Sequence, residues 1–275
     1  MIKNLIVPID ISALSEQSIK YVLLIERMLP GITITIVGCG NVDEIVNNKV
    51  QELLDNYKSS FSNQNNIKVI TTSCKFHDEI GELANSVEDP LIIISSYKEV
   101  KNRDFFTIHD VIKIVDTSKQ HIISLPENEF NFQLNKISYP VHLKTRVRHK
   151  ATFTAKLAKL FGSEVDIVST PTTNLNEKKK KMCTLYCQQI SNHYRSINIP
   201  ITINSASGNN LASVVSDYSK ETGADIVSII PEDNKDIRLF SVSYLEDLLS
   251  KCEVPTLIIA GRKVKYTGSF SASGG

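Results

Sequence analysis

The segment from Leu5 to Ile9 is a short, nearly unbroken apolar run without alternation, as expected of a strand buried on both faces of a parallel sheet. Leu14, Ser18, Tyr21, Val22, Ile25, Met28 and Leu29 then recur at helical spacing. Ser12 is placed to cap that helix, and Pro30-Gly31 to end it. Ile32 to Val37 reads as a second strand. Residues 42–61 read as a helix with Ile45, Val46, Val50, Leu53, Leu54 and Tyr57 on one side. A β-branched run, Ile67 to Cys74, precedes a short helical face of Ile80, Leu83, Ala84 and Val87. Leu91 to Ile94 is the most apolar strand of this half. After the polar stretch Ser95 to Arg103 come a helix near Thr107 to Thr117 and a last strand, Gln120 to Leu125. Strands alternating with helices need right-handed crossovers, and so predict a parallel, doubly wound sheet.

The pattern then starts again. Ile137-Ser138-Tyr139-Pro140-Val141 echoes Ile6-Val7-Pro8-Ile9, and Thr145 is placed to cap a helix carrying Val147, Ala151, Ala155 and Ala158. Gly162 closes that helix as Gly31 closes the first. Strands at Val165–Ser169, Ile199–Ala206, Ile226–Ile230 and Val254–Ala260 alternate with helices at Lys178–Ile197, Leu211–Glu221 (ending at Gly223) and Ser241–Ser250. Two (βα)4β units follow, residues 1–126 and 134–262, joined near Pro126 to Leu134; each is long enough to bury its own core. The remainder, 263–275, is Gly/Ser-rich and is expected to be flexible, or ordered only by docking Phe270.

Composition narrows the classes. Thirty-one Lys+Arg against 30 Asp+Glu leave +1 over 275 residues, so no global field recruits nucleic acid or an acidic membrane. No apolar run approaches the roughly 18 residues that span a bilayer, and Leu5 to Ile9 is too short for a signal-peptide core. Five scattered cysteines, an odd number, argue for a reducing compartment and hence a cytoplasmic location. The near-neutral total hides a split: −6 over residues 1–132 and +7 over the rest, which favours docking of the halves. Pairing their edge strands, Gln120–Leu125 against Val254–Ala260 about a pseudo-twofold, would cover both edges.

The Ile6 to Ser12 stretch (hydrophobic-Val-Pro-x-Asp-x-Ser), the long first helix, and Ala224-Asp225-Ile226-Val227-Ser228-Ile229 after a helix ending in Gly resemble a tandem universal stress protein over both halves. The resemblance implies two Rossmann-like (adenine nucleotide alpha hydrolase-like) domains, each a five-stranded parallel α/β sheet flanked by helices, paired within one chain or as a homodimer. It also implies that nucleotide-binding relatives carry Gly-x2-Gly-x9-Gly-Ser/Thr after the fourth strand, where bare backbone lets N–H groups hold phosphate. Here no glycine occurs between Gly81 and Gly162, or between Gly223 and Gly261, so both halves lack the signature. Pro231 even removes an N–H where the family would place a glycine.

What remains is a vestigial pocket of Asp10, Ser12, Val37 and Ser95. Asp10 ends the first strand, where open α/β sheets bind ligands; the resemblance makes its match an adenine reader, and the residues alone make it a turn partner for the next helix. His142 takes its place in the second half. His142, Lys144, Arg146, Arg148, His149 and Lys150 form a basic cluster at a helix start, read as a solvated face or as an anion or partner site. Cys183 and Cys187, one turn apart with His193 beyond, read as buried thiols, because a metal needs more soft ligands. No nucleophile elbow, Walker loop or carboxylate pair is present. The expectation is a non-enzymatic stress-type protein without cofactor or metal, acting through a protein partner, with a homodimer open. The alternative is a nucleotide or small-anion sensor with a remodelled pocket around Asp10; a hydrolase is the third and weakest reading.

Overall fold

A computed structural model of the chain describes residues 2–40, 43–72, 76–100, 104–142, 147–171, 175–231 and 238–260. Residues 263–275 and Thr145 lie outside them, so the expectations of a tail and of that cap carry no structural account. The first half runs β1 (Asn4–Ile9), α1 (Ser15–Met28), β2 (Thr33–Cys39), α2 (Asp43–Tyr57), β3 (Ile67–Thr72), α3 (Phe76–Ser86), β4 (Pro90–Ser95), α4 (Ile108–Ser118) and β5 (His121–Leu125). The second runs β6 (Lys136–Val141), α5 (Val147–Phe161), β7 (Glu164–Ser169), α6 (Glu177–Ser196), β8 (Ile201–Ser205), α7 (Leu211–Glu221), β9 (Ile226–Ile229), α8 (Arg238–Lys251) and β10 (Thr256–Ile258).

All ten strands belong to one sheet, ordered β3-β2-β1-β4-β5-β10-β9-β6-β7-β8. Within each half the pairing is parallel. The halves meet where β5 and β10 run antiparallel, with Ile123 opposite Leu257 and Ser124 opposite Thr256. The α/β architecture is therefore the expected one, in two copies that share a sheet. One apolar layer lies between the sheet and α1, α2, α5 and α6, built from residues such as Leu5, Ile34, Leu91, Tyr139 and Ile167. The opposite layer gathers Ile6, Ile92, Ile94, Val227 and Ile258 under α3, α4, α7 and α8, and α4 packs on α8 across the joint. Central strand β4 is buried at every position, which explains its unbroken Leu-Ile-Ile-Ile run. Outer strand β3 is not: Val69 and Ile70 are exposed, as is Ile203 on the other outer strand, β8.

Some expectations about side chains fail: Met28, expected on the packed face of α1, is exposed. Ile45 faces solvent, because the turn of α2 that packs on β2 presents Val46, Val50 and Leu53 instead. Ser12 does not cap α1, whose N-cap position is Leu14 without a side-chain hydrogen bond. The helix stops hold: Gly31, Gly162 and Gly223 all sit at positive φ, a conformation that costs glycine nothing.

The prolines position the site. β1 pairs with β4 from Asn4 to Ile6 only, and β6 with β9 over Ile137 and Ser138 only. Pro8 and Pro140 lie just beyond, each without an N–H to continue the ladder. The central strands of each half thus part at their C-terminal ends, the switch point where open α/β sheets place ligands.

Candidate functional site

At the first switch point Asp10 is buried, and its own chain surrounds it. Oδ1 accepts from the Ser12 N–H (2.9 Å) and the Ser12 hydroxyl (2.5 Å), and lies 2.8 Å from Ser15 Oγ. Oδ2 accepts from the Phe106 N–H at 2.5 Å, across 96 residues of sequence. Ser15 Oγ in turn accepts the Asp10 N–H at 3.0 Å. A buried carboxylate with both oxygens engaged by short, charge-assisted bonds is held firmly where it stands.

The other pocket residues divide. Ser95, at the end of β4, donates its N–H to Ser18 Oγ (3.1 Å), and the two hydroxyls lie 2.8 Å apart, tying β4 to α1. Val37 is core: it joins Ile6, Ile94 and Phe106 in the apolar layer under α3 and α4. Asp10 and Ser12 therefore come together, Ser95 meets α1 beside them, and Val37 packs behind the sheet.

The segment after β4 is closed on itself. Tyr97 donates its N–H to the Phe106 carbonyl (2.9 Å) and accepts from the Ile108 N–H (3.0 Å), forming a bridge at the position where glycine-bearing relatives are expected to hold phosphate. Phe106 buries its ring against Phe76, and Tyr97 stacks on Phe105 at 5.6 Å. Asp110, in the first turn of α4, accepts from both the N–H and the hydroxyl of Thr107 at 2.8 Å and contacts His77 Nε2 at 2.8 Å. Burial works against its ionisation, but the His77 and Thr107 bonds prevail and hold the carboxyl below its ordinary pKa. A small cavity beside Ser96, Lys98 and Ser124 encloses about 10 Å³, the room of one water.

The second switch point is filled differently. His142 directly follows β6 and is buried. Behind it stands Lys150, 1% exposed, its Nζ donating to the carbonyls of Pro140 (2.6 Å) and Ser228 (2.9 Å) and lying 3.9 Å above the Tyr139 ring. Thr154 Oγ1 sits 2.7 Å from Ser228 Oγ one turn further along. Burial pushes the Lys150 amine well below the ordinary lysine value. The cavity beside His142 and Lys150 is again about 10 Å³. A solvated basic face is thus wrong for Lys150. The missed signal is its spacing: Lys150, Thr154 and Ala158 recur every four residues on the inward face of α5. The rest of that cluster, Lys144, Arg146, Arg148 and His149, lies outside what is described of side chains.

Asp166, on β7, was also not singled out. Fully buried, it accepts from Thr202 Oγ1 (3.0 Å), Asn204 Nδ2 (2.8 Å) and Tyr218 Oη (2.7 Å), pinning the outer strand β8 and α7 to the sheet. Cys183 and Cys187 are buried on the inner face of α6, where burial raises the Cys187 thiol to about 11. Among the described residues no group of three or more His, Cys, Asp or Glu could hold a metal ion, and no helix is long and apolar enough to cross a membrane.

Comparison with known proteins agrees with this geometry. No protein-family profile and no curated protein matches the chain. Solved structures do. A universal stress protein from Archaeoglobus fulgidus superposes with a TM-score of 0.68 at 13% identity, covering 93% of this chain and 97% of that one. A Pseudomonas aeruginosa protein assigned to the universal stress proteins gives 0.64 at 14% identity, covering 94% and 93%. The cytoplasmic domain of a prokaryotic cation chloride cotransporter gives 0.56 at 12% identity, covering 94% and 95%. Over almost its whole length, then, the chain has the fold of the universal stress proteins, repeated twice along one sheet.

Proposed function

We propose that the chain is a non-catalytic, stress-related protein of the universal stress type that works in the cytoplasm through association with another protein, without bound ATP. The observation that carries this reading is the closure of the first switch point by the chain itself. The Phe106 N–H, a donor of the kind that would face a phosphate or base, is spent on Asp10, and Tyr97, Phe106 and Ile108 bridge the segment above it. A nucleotide needs a cleft of several hundred Å³, against the roughly 10 Å³ beside His142 and Lys150 at the second switch point. Opening the first site would forfeit several buried hydrogen bonds at roughly 1–3 kcal/mol each. Association has surfaces to use: β3 and β8 leave their outer backbone edges unpaired among the described residues, flanked by exposed Val69, Ile70 and Ile203. The cotransporter domain, built on the same fold, accords with use of the architecture as a module beside another protein.

Isothermal titration with Mg-ATP tests the reading. The expected outcome is no dissociation constant below about millimolar, and no nucleotide released when purified protein is denatured in acid. A micromolar constant would transfer the site to the small-anion sensor reading.

A further inference from the structure

The two ends of the sheet are unlike the rest of the surface. Apart from Met28, the large apolar side chains left exposed among the described residues all lie there: Ile45, Val69 and Ile70 at one end, Met182, Leu185 and Ile203 at the other. The end strands β3 and β8 each have a neighbour on one side only among the described residues. Val69 shares a strand face with Ile67, and Ile203 with Ile201, and both of those isoleucines pack into the layer that holds α2 and α6. Each end therefore offers a strand edge, a helix on the same side of the sheet, and exposed apolar side chains on both.

The two helices carry opposite charge. Along α2 Glu44, Glu52 and Asp55 are exposed, and its one cationic residue, Lys49, is bonded to Glu52 at 3.3 Å. Four lysines, Lys178 to Lys181, open α6 and Arg195 stands near its end, while its one carboxylate, Glu177, accepts from Lys180 at 2.8 Å. Three edge-to-edge pairings of two copies would continue the sheet with its helix layers. A β3 edge on a second β3 sets α2 beside α2, anion against anion. A β8 edge on a second β8 sets α6 beside α6, cation against cation. Only β3 on β8 brings unlike charges together. Strand direction reverses where β5 meets β10, so β3 and β8 point opposite ways within one chain, and a second copy set down in the same orientation meets the first with antiparallel edges.

We propose that the chain assembles head to tail with further copies of itself, β3 of one against β8 of the next, with the acidic α2 lying along the basic α6. This rests on the reading of these edges as association surfaces, and it names the partner. Each helix runs against its own strand, so α2 and α6 are antiparallel at the contact: Glu52 and Asp55 come to the lysine-rich start of α6, and Glu44 to Arg195. Because the two edges differ, the contact does not close on itself, and copies add one after another. Sedimentation of the full chain against concentration and salt tests this. At about 0.05 M salt the mass should climb past that of a dimer, and the affinity should fall about tenfold by about 0.5 M. Val69→Lys should block the β3 end and Ile203→Lys the β8 end, since a lysine on an exposed edge resists strand pairing and both positions lie outside the core. Circular dichroism checks that both variants fold. Each alone should stay monomeric, and the two mixed should form a 1:1 dimer and stop, because one intact β3 edge and one intact β8 edge remain. A parent chain that is monomeric at both salts would overturn the proposal. So would a dimer of either variant by itself, which would make the contact like on like, or assembly that neither substitution changes. The Mg-ATP titration keeps the two failures apart: a monomer that binds no ATP loses only the self-partner, whereas a chain that assembles and binds ATP keeps the contact and loses the proposed function.

Discussion

The two switch points occupy the same place in two copies of one fold and are closed by opposite chemistry. In the first, a buried carboxylate collects donors: Ser12, Ser15 and the backbone of Phe106 converge on Asp10. In the second, a buried amine collects acceptors: the Pro140 and Ser228 carbonyls converge on Lys150. At the first the Ser15 and Ser18 hydroxyls accept the strand-end N–H groups of Asp10 and Ser95, and at the second Lys150 donates to two strand carbonyls, so both are filled from within the chain. The lesson is that a ligand crevice can be closed without changing the fold, provided each freed backbone group finds a partner. The carboxylate route also ties down a distant segment, whereas the amine route stays within β6, β9 and α5.

The largest break in this comparison is Lys150→Ala. It leaves a void and two buried carbonyls unpaired, and should cost about 3–5 kcal/mol in chemical denaturation, with Lys150→Met costing less because its chain still fills the space. Asp10→Ala should follow at about 2–4 kcal/mol, and unlike the lysine change it should speed hydrogen exchange at the Phe106 amide, because the segment after β4 loses its anchor. A pH profile sharpens the contrast with the smallest effect. The folded-state amine of Lys150 is held well below its unfolded value near 10.4, so between the two the unfolded chain binds more protons. Stability should therefore rise with pH across that window, by at most about 1.4 kcal/mol per unit, and Lys150→Met should flatten the rise.

Much of the architecture was legible because it rests on short-range pattern. Unbroken apolar runs marked the buried strands, Gly31, Gly162 and Gly223 marked helix ends, and the echo of Pro8 in Pro140 marked the repeat. Asp10 was legible as a strand-end residue, but its bond to Phe106 joins positions 96 apart and leaves no local trace. Lys150 was misread because lysine is almost never buried, a prior that outweighed its inward spacing with Thr154 and Ala158. Ile45 was misread for the converse reason: an apolar residue beside a helical face is not always on it. Ser12 was assigned to the helix start, yet a nearby buried carboxylate offered its hydroxyl a charged acceptor, the stronger partner.

The antiparallel contact of β5 with β10 has a further consequence for how the chain tolerates change. In a twofold dimer of identical chains, every substitution on such a contact enters on both sides at once, and each residue must suit its own copy. Here the facing positions are independent: Ser124 stands opposite Thr256, and Ile123 opposite Leu257. Covalent linkage also keeps the two sides at high effective concentration whatever the abundance of the protein. Each half is thereby released from self-complementarity, and the two have room to diverge into one acidic and one basic partner around a shared spine.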